Sequence, residues 1–322
     1  MHPSLCHRKV ELAGGVELQY LSNERESEVR LLFVHGWPSL GFSWRHQLAA
    51  CPHAAVAPDL KGFGGSSKPR ERLQYSQRVL VADMLEFLDA LGWTENVVVI
   101  GHDWGGVIAW NLALTQDPRI IACGAICTPF YPYVPGDSLK RMKESKAFNY
   151  QVYFQNGEVA AAELDRDIRR TFSAIFRTRD EYFKNTTNKN VTERGGFLVG
   201  VPEDLRPGKL LSDGAVLEYY VRAFQVDGFF TSLRLYQNYP ENQAYRSETS
   251  HVKLTIPCLM ITASHDFILK PKHSEHMERY IPNLTRFNVE AFHWAMEEKP
   301  DEVNDAIHKW LAAKVVKSNS KL

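Results

Sequence analysis

The stretch VVVIGHDWGG, Val97 to Gly106, constrains the fold of this 322-residue chain more than any other segment. A run of β-branched residues ends in Gly-x-Asp-x-Gly and is followed at once by an apolar helical pattern, VIAWNLALTQ. A strand that passes through one residue into a helix must turn sharply. Gly101 and Gly105 let the two backbone segments approach, and Asp103 is held out at the apex. Five other short apolar runs accompany it: LLFV from Leu31, AAVA from Ala54, ACGAIC from Ala122, CLMIT from Cys258 and TRFNVE from Thr285. Continuous rather than alternating apolarity predicts a mostly parallel central sheet with helices on both faces. Leu80, Met84, Phe87, Leu88 and Leu91 share one helical face between a capping Ser76 and a terminating Gly92, which predicts a crossover helix. Val303, Ile307, Trp310 and Leu311 repeat that spacing after Pro300-Asp301, predicting a final helix.

From about Phe130 to His251 the chain becomes tyrosine-rich and helical in pattern, and the strand pattern resumes at Cys258. The expected organisation is an α/β core of residues 1–129 and 252–322, with residues 130–251 forming a helical cap (lid) inserted in it. The 44 % of apolar residues and 24 % of charged residues are those of an ordinary globular enzyme-sized chain. Lys plus Arg and Asp plus Glu each number 38, so no net field gathers nucleic acid or an anionic membrane, and neither is expected as a partner. There is no run of about 18 apolar residues of the kind that spans a bilayer, and the first residues lack the apolar core of a secretory signal. The five cysteines are scattered without CxxC spacing, which predicts a reducing compartment and no disulfide framework or zinc site. No metal or cofactor is expected. Ser320-Lys321-Leu322 reads as a peroxisomal address. It predicts an import receptor as partner and a peroxisomal location, shared in part with the cytosol, if the source is eukaryotic; otherwise the location is cytoplasmic.

A carboxylate at the apex selects a reaction class. A serine that attacked saturated carbon would make an ether that cannot be turned over. A carboxylate is already anionic at neutral pH and yields an alkyl ester, whose carbonyl an activated water can cleave. Taken alone, Asp103 could simply cap the following helix. The water needs a base, and of twelve histidines His293, in AFHW after the last strand run, is the best placed. Asp266, in TASHDFI after CLMIT, gives the chain order nucleophile, acid, histidine of α/β hydrolases. His265 and His102 are the competing histidines. The oxyanion formed on the ester needs two backbone N–H groups: Trp104 supplies one, and Trp37, in the loop His35-Gly36-Trp37-Pro38, supplies the other.

With Asp103, Asp266, His293, HGWP and DLKGFGGSSKP at Asp59 to Pro69, the chain resembles the epoxide hydrolase family of the α/β-hydrolase fold along nearly its whole length. Within that family it is similar to the hydrolase domain of soluble epoxide hydrolases. It is too short for their N-terminal phosphatase domain, so no phosphatase activity is expected. FNYQVYFQNGEVAAAELDRDIRRTF, from Phe148, and LYQN, at Leu235 to Asn238, are similar to the cap stretches in which the family places two tyrosines. The resemblance therefore implies Tyr150 and Tyr236 as proton donors. It also implies conversion of a small apolar epoxide and water to a vicinal diol through an Asp103 ester. Chemistry supports a phenol there, because the alkoxide released on ring opening needs a proton donor and phenols, with pKa about 10, are suitable. Tyr153 and Tyr239 are the neighbours that compete for the role. Trp37, Phe130, Phe230 and Phe292 are expected to line an apolar cleft. The alternatives are a haloalkane dehalogenase, which shares the elbow, aspartate and histidine, and a noncatalytic receptor that keeps the pocket without the chemistry.

Overall fold

A computed structural model describes residues 5–145, 148–185 and 191–316. Ser320, Lys321 and Leu322 lie outside the described residues. One eight-stranded sheet organises the molecule: β1 (Cys6–Glu11), β2 (Glu17–Ser22), β3 (Arg30–Val34), β4 (Ala54–Pro58), β5 (Val97–His102), β6 (Ile120–Ile126), β7 (Cys258–Ala263) and β8 (Leu284–Val289), in the order β1-β2-β4-β3-β5-β6-β7-β8. Strands β3 to β8 pair in parallel, while β1 with β2 and β2 with β4 are antiparallel. All six apolar runs are strands, as the two-sided burial of a parallel sheet demands. The first two strands were not expected. The outermost, CHRKVE, keeps its charged residues in water, and a one-sided edge strand requires no continuous apolar run.

The crossover helix spans Gln77–Ala90, with the Ser76 side chain accepting from the Val79 N–H, and buries Leu80, Met84, Phe87 and Leu88. Gly92 follows it with φ +67°, a left-handed conformation suited to glycine. The final helix, Pro300–Trp310, buries Val303, Ile307 and Trp310. The elbow helix, Trp104–Leu114, is apolar on all sides because it packs between the sheet and its neighbours.

Between β6 and β7 the described residues form helices and 3₁₀ turns and no strand. The segment is fastened to the sheet half at specific points. Thr231 donates to the Gly62 carbonyl at 2.9 Å. Arg72 reaches the Gln237 carbonyl at 2.8 Å and pairs with Glu241 at 2.7 Å. Trp294 donates to the Ile175 carbonyl at 3.1 Å and stacks on Phe176 at 4.1 Å and 8°. DLKGFGGSSKP supplies one side of this seam. Asp59 accepts from Gly41 N–H at 2.9 Å and Gly65 N–H at 3.2 Å, and the buried Lys61 ammonium pairs with Asp83 at 2.8 Å. Buried charges persist only when partnered in this way.

Candidate active site

Strand β5 ends at His102 and the next residue, Asp103, takes φ 52° and ψ −123°, an unusual conformation for a residue with a side chain. The turn is possible because its flanks are glycines. A Cβ on Gly101 would lie 2.0 Å from the Gly105 carbonyl oxygen, and one on Gly105 would lie 2.0 Å from the Val34 carbonyl oxygen. Asp103 is thereby aimed at the loop after β3. A Cβ on Gly36 of that loop would meet Asp103 Oδ1 at 2.3 Å. Thr128, just past β6, donates to the Asp103 carbonyl at 2.8 Å and steadies the apex from the other side.

The loop is locked by His35. Its Nε2 accepts the Leu60 N–H at 2.9 Å, so Nδ1 carries the proton and donates to the Gly36 carbonyl at 2.8 Å. Burial lowers its pKa to about 4, which keeps the ring neutral. The Trp37–Pro38 peptide is cis. Trp37 N–H donates to Asp103 Oδ1 at 2.9 Å, and the backbone N–H of Trp104 also bonds the Asp103 carboxylate.

His293 Nδ1 sits 2.7 Å from Asp266 Oδ2. Asp266 Oδ1 accepts the N–H groups of Ile268 and Leu269, each at 2.9 Å, which leaves Oδ2 for the imidazole. Burial pushes the Asp266 pKa up, but the His293 charge, its hydrogen bond and the two backbone donors outweigh burial and hold the carboxyl below its ordinary range. Burial likewise opposes protonation of His293, and Asp266 with Asp103 reverses it, so the His293 pKa is raised. For Asp103 burial dominates and raises its pKa, against the pull of His293 and the Trp104 and Trp37 N–H groups. A less solvated carboxylate of higher basicity is a better nucleophile than one in water. His293 Nε2 stands 3.9 Å from Asp103 Oδ2, beyond hydrogen-bond reach, and their side chains keep 16 % and 13 % exposure, so water has access to both.

Both competing histidines have other roles. His102 is buried with a pKa lowered to about 3, and its neutral ring donates from Nε2 to the His293 carbonyl at 2.8 Å. His265 is paired with Glu290 at 3.7 Å. His102, Cys127 and His293 are the one grouping among the described residues whose donor atoms, all within 4.8 Å, could hold a metal. His102 Nε2 donates to the His293 carbonyl at 2.8 Å and Cys127 Sγ lies 3.4 Å from the same carbonyl, while burial keeps the Cys127 thiol protonated. The grouping therefore serves to position His293.

Tyr236 packs edge-on to Trp104 (5.2 Å, 87°) and Trp37 (5.7 Å, 83°), and Tyr150 meets Tyr236 at 5.8 Å and 76°. The two rings and the Trp104 indole form one edge-on cluster above Asp103. Burial first, then nearby negative charge that includes Asp103, raises the pKa of both, so both stand protonated beside the carboxylate. Tyr153 instead donates to Glu163 at 2.8 Å, and Tyr239 donates to Gln151 Oε1.

The four aromatic residues expected to line the cleft are packed as follows. Trp37, 5 % exposed, is wedged among Phe154, Phe197, Phe229 and Tyr236, with Nε1 donating to Ser232 at 3.1 Å. It forms part of the seam between the two halves. Phe130 packs on Trp110 at 6.0 Å, Phe230 is held by the guanidiniums of Arg70 and Arg234, each at 4.3 Å, and Phe292 stacks on Phe267 at 5.5 Å. The aromatic wall beside the tyrosines is Phe154 and Phe197, 5.6 and 6.5 Å from Tyr150. Nothing in their sequence pattern marks them, because a phenylalanine in a helical stretch does not reveal which way it points.

The assembled groups are a carboxylate whose Oδ1 is held by the Trp37 N–H, an imidazole able to take a proton from water, and two phenols able to give one. Residues 29–300 match the family described as alpha/beta hydrolase fold. The chain is 41 % identical over 313 residues to the bifunctional epoxide hydrolase 2 of Sus scrofa, covering 96 % of this chain and 55 % of that protein. It thus spans about half the length of that relative. It is 30 % identical over 307 residues to epoxide hydrolase A of Mycobacterium tuberculosis, covering 92 % of this chain and 95 % of that one. Among solved structures, epoxide hydrolase A from Mycobacterium thermoresistibile superposes with a TM-score of 0.85 at 28 % identity, covering 96 % of this chain and 99 % of the other.

Proposed function

The chain belongs to the alpha/beta hydrolase fold family and, within it, to the epoxide hydrolases, and on that footing we propose that it opens epoxides to vicinal diols through an ester of Asp103. The observation that carries this reading is the pair of phenols, Tyr150 and Tyr236, beside a carboxylate whose Oδ1 is bound by the Trp37 N–H. Asp103 Oδ2 attacks a ring carbon, the carbon–oxygen bond breaks, and the alkoxide takes a proton from a phenol. His293 then removes a proton from water, and the hydroxide adds to Cγ of the ester. The Trp37 and Trp104 N–H groups hold the resulting oxyanion. Collapse expels the diol oxygen, which is protonated by His293, and the proton left on the regenerated Asp103 carboxyl restores the phenolate to a phenol. Esterification abolishes the Asp103 charge, one of the influences that raise the His293 pKa, and so favours the neutral imidazole for the second step.

Halide displacement is disfavoured by the same geometry, since a departing halide needs N–H donors. The Trp37 indole is engaged by Ser232 at 3.1 Å, and the Trp104 ring packs edge-on against Tyr236. A noncatalytic receptor would have no use for the His293–Asp266 pair at 2.7 Å. Residues 130–251 act as the cap, bringing Tyr150 and Tyr236 over Asp103. With Phe154 and Phe197 beside them, the substrate class is apolar epoxides, including those formed from lipids, and the physiological effect is removal of reactive epoxides.

A single turnover in ¹⁸O water, with enzyme in excess, tests the covalent route. The first diol should carry no label, and the label should appear in the Asp103 carboxylate. Label in the first diol would mean direct attack by water and would reject the ester.

Peroxisomal import through Ser320-Lys321-Leu322 belongs to the same proposal, with a receptor gripping the C-terminal tripeptide in a eukaryotic cell. Removing Leu322 from a tagged chain should turn a punctate distribution cytosolic; unchanged puncta would reject the signal.

A further inference from the structure

The structure assigns a role to a residue outside the catalytic set: we propose that Gln151, its amide held by Tyr239, positions Tyr150 so that the phenol O–H is free for the epoxide oxygen. The inference rests on the reading of Tyr150 as an acid. Gln151 Nε2 donates to the Tyr150 hydroxyl at 3.2 Å, while Tyr239 O–H donates to Gln151 Oε1. An amide has one acceptor end and one donor end, so a hydroxyl donating to the oxygen forces the NH₂ toward Tyr150. The Tyr150 oxygen then receives a hydrogen bond, and its own proton is left for another acceptor. With the amide reversed, Oε1 would capture that proton and hold it away from substrate. The N–H also strengthens its bond as negative charge collects on the phenol oxygen during proton transfer.

Other amides already fix the scaffold. Gln155 donates to the Tyr236 carbonyl at 2.6 Å, and Gln237 donates to the Phe154 carbonyl at 2.9 Å. These bonds tie the helix Asn149–Tyr153 and the residues just after it to the 3₁₀ turn Ser232–Gln237. The distance between the phenols is thus set by bonds that do not involve the Gln151 side chain. What remains to Gln151 is the direction of the Tyr150 hydroxyl.

Transient kinetics can separate formation of the Asp103 ester from its hydrolysis. Gln151→Met should slow ester formation about tenfold and Tyr239→Phe about threefold, the loss expected for one neutral hydrogen bond or its orientation. Gln151→Glu, measured above pH 7, is the decisive variant. It keeps the shape and the bond from Tyr239 but can only accept, so ester formation should fall about a hundredfold, below the Met variant. Ester hydrolysis should stay within about twofold of the parent in all three, because His293 and Asp266 do the work there. In a Tyr150→Phe background Gln151→Met should have no further effect. A Gln151→Glu protein as fast as the Met variant, equal slowing of both steps, or additivity with Tyr150→Phe would each overturn the relay alone. A Tyr150→Phe protein that forms ester at the parent rate would overturn the acid assignment and the relay with it.

Discussion

His293→Gln is expected to leave one hydroxyalkyl ester on Asp103 and to stop there. The attack on epoxide requires the carboxylate and the phenols, none of which is changed. Hydrolysis requires a base at the position of Nε2, which glutamine cannot supply. Loss of a general base costs about 10²- to 10⁴-fold, so turnover should fall by about 10³ or more while the adduct persists. Intact-mass measurement after exposure to excess epoxide should show one added substrate mass per chain, located by peptide mapping to Asp103. Asp103→Ala should never gain it. An unmodified His293→Gln protein would remove the ester from the mechanism and, with it, the reason for an aspartate at the elbow.

The second large effect is expected from the phenols. Tyr150→Phe and Tyr236→Phe should each slow ester formation by about ten- to a hundredfold, and the double change by about 10⁴, because either hydroxyl serves in part when the other is lost. The rings keep their packing. Tyr236 is 1 % exposed against Trp37, Trp104 and Phe154, and Phe retains those contacts, so thermal unfolding should shift little. A folded double variant that still produces diol at the parent rate would reject the proton-donor role outright. Tyr153 and Tyr239 are not ready substitutes, being engaged with Glu163 and Gln151.

How much of this was legible in the sequence depended on whether the signal was local. Strands β3 to β7 announce themselves because a strand buried on both faces must be largely apolar, and β8, at the sheet edge with only Val289 fully buried, by its shorter apolar pattern. Strands β1 and β2 do not, since an edge strand with Arg8 and Lys9 in water resembles a loop. Asp103, Asp266 and His293 were visible because each follows a strand in the order that brings strand ends to one edge. Tyr150 and Tyr153, one helical turn apart, could not be separated by spacing. Glu163, ten residues on, separates them by engaging Tyr153. The directions of Phe130, Phe230 and Phe292 were not legible for the related reason that a ring's direction is decided by tertiary partners such as Arg70, Trp110 and Phe267. Gln151 gave no signal at all, because its role exists only once Tyr239 arrives from the far end of the inserted segment.

The bond from Trp37 N–H to Asp103 Oδ1 makes the two oxygens of one carboxylate unequal. Oδ1 stays in its cradle, whereas Oδ2 faces His293 and, on the proposed route, is the oxygen that departs inside the product. The side chain then holds a permanent atom and a consumable one. On the proposed ester route, every catalytic cycle would discard an oxygen of the protein and draw a replacement from solvent. After its first turnover the enzyme would no longer be made of only the atoms with which it was synthesised, and as long as the carboxylate does not rotate, the renewal would be confined to a single position.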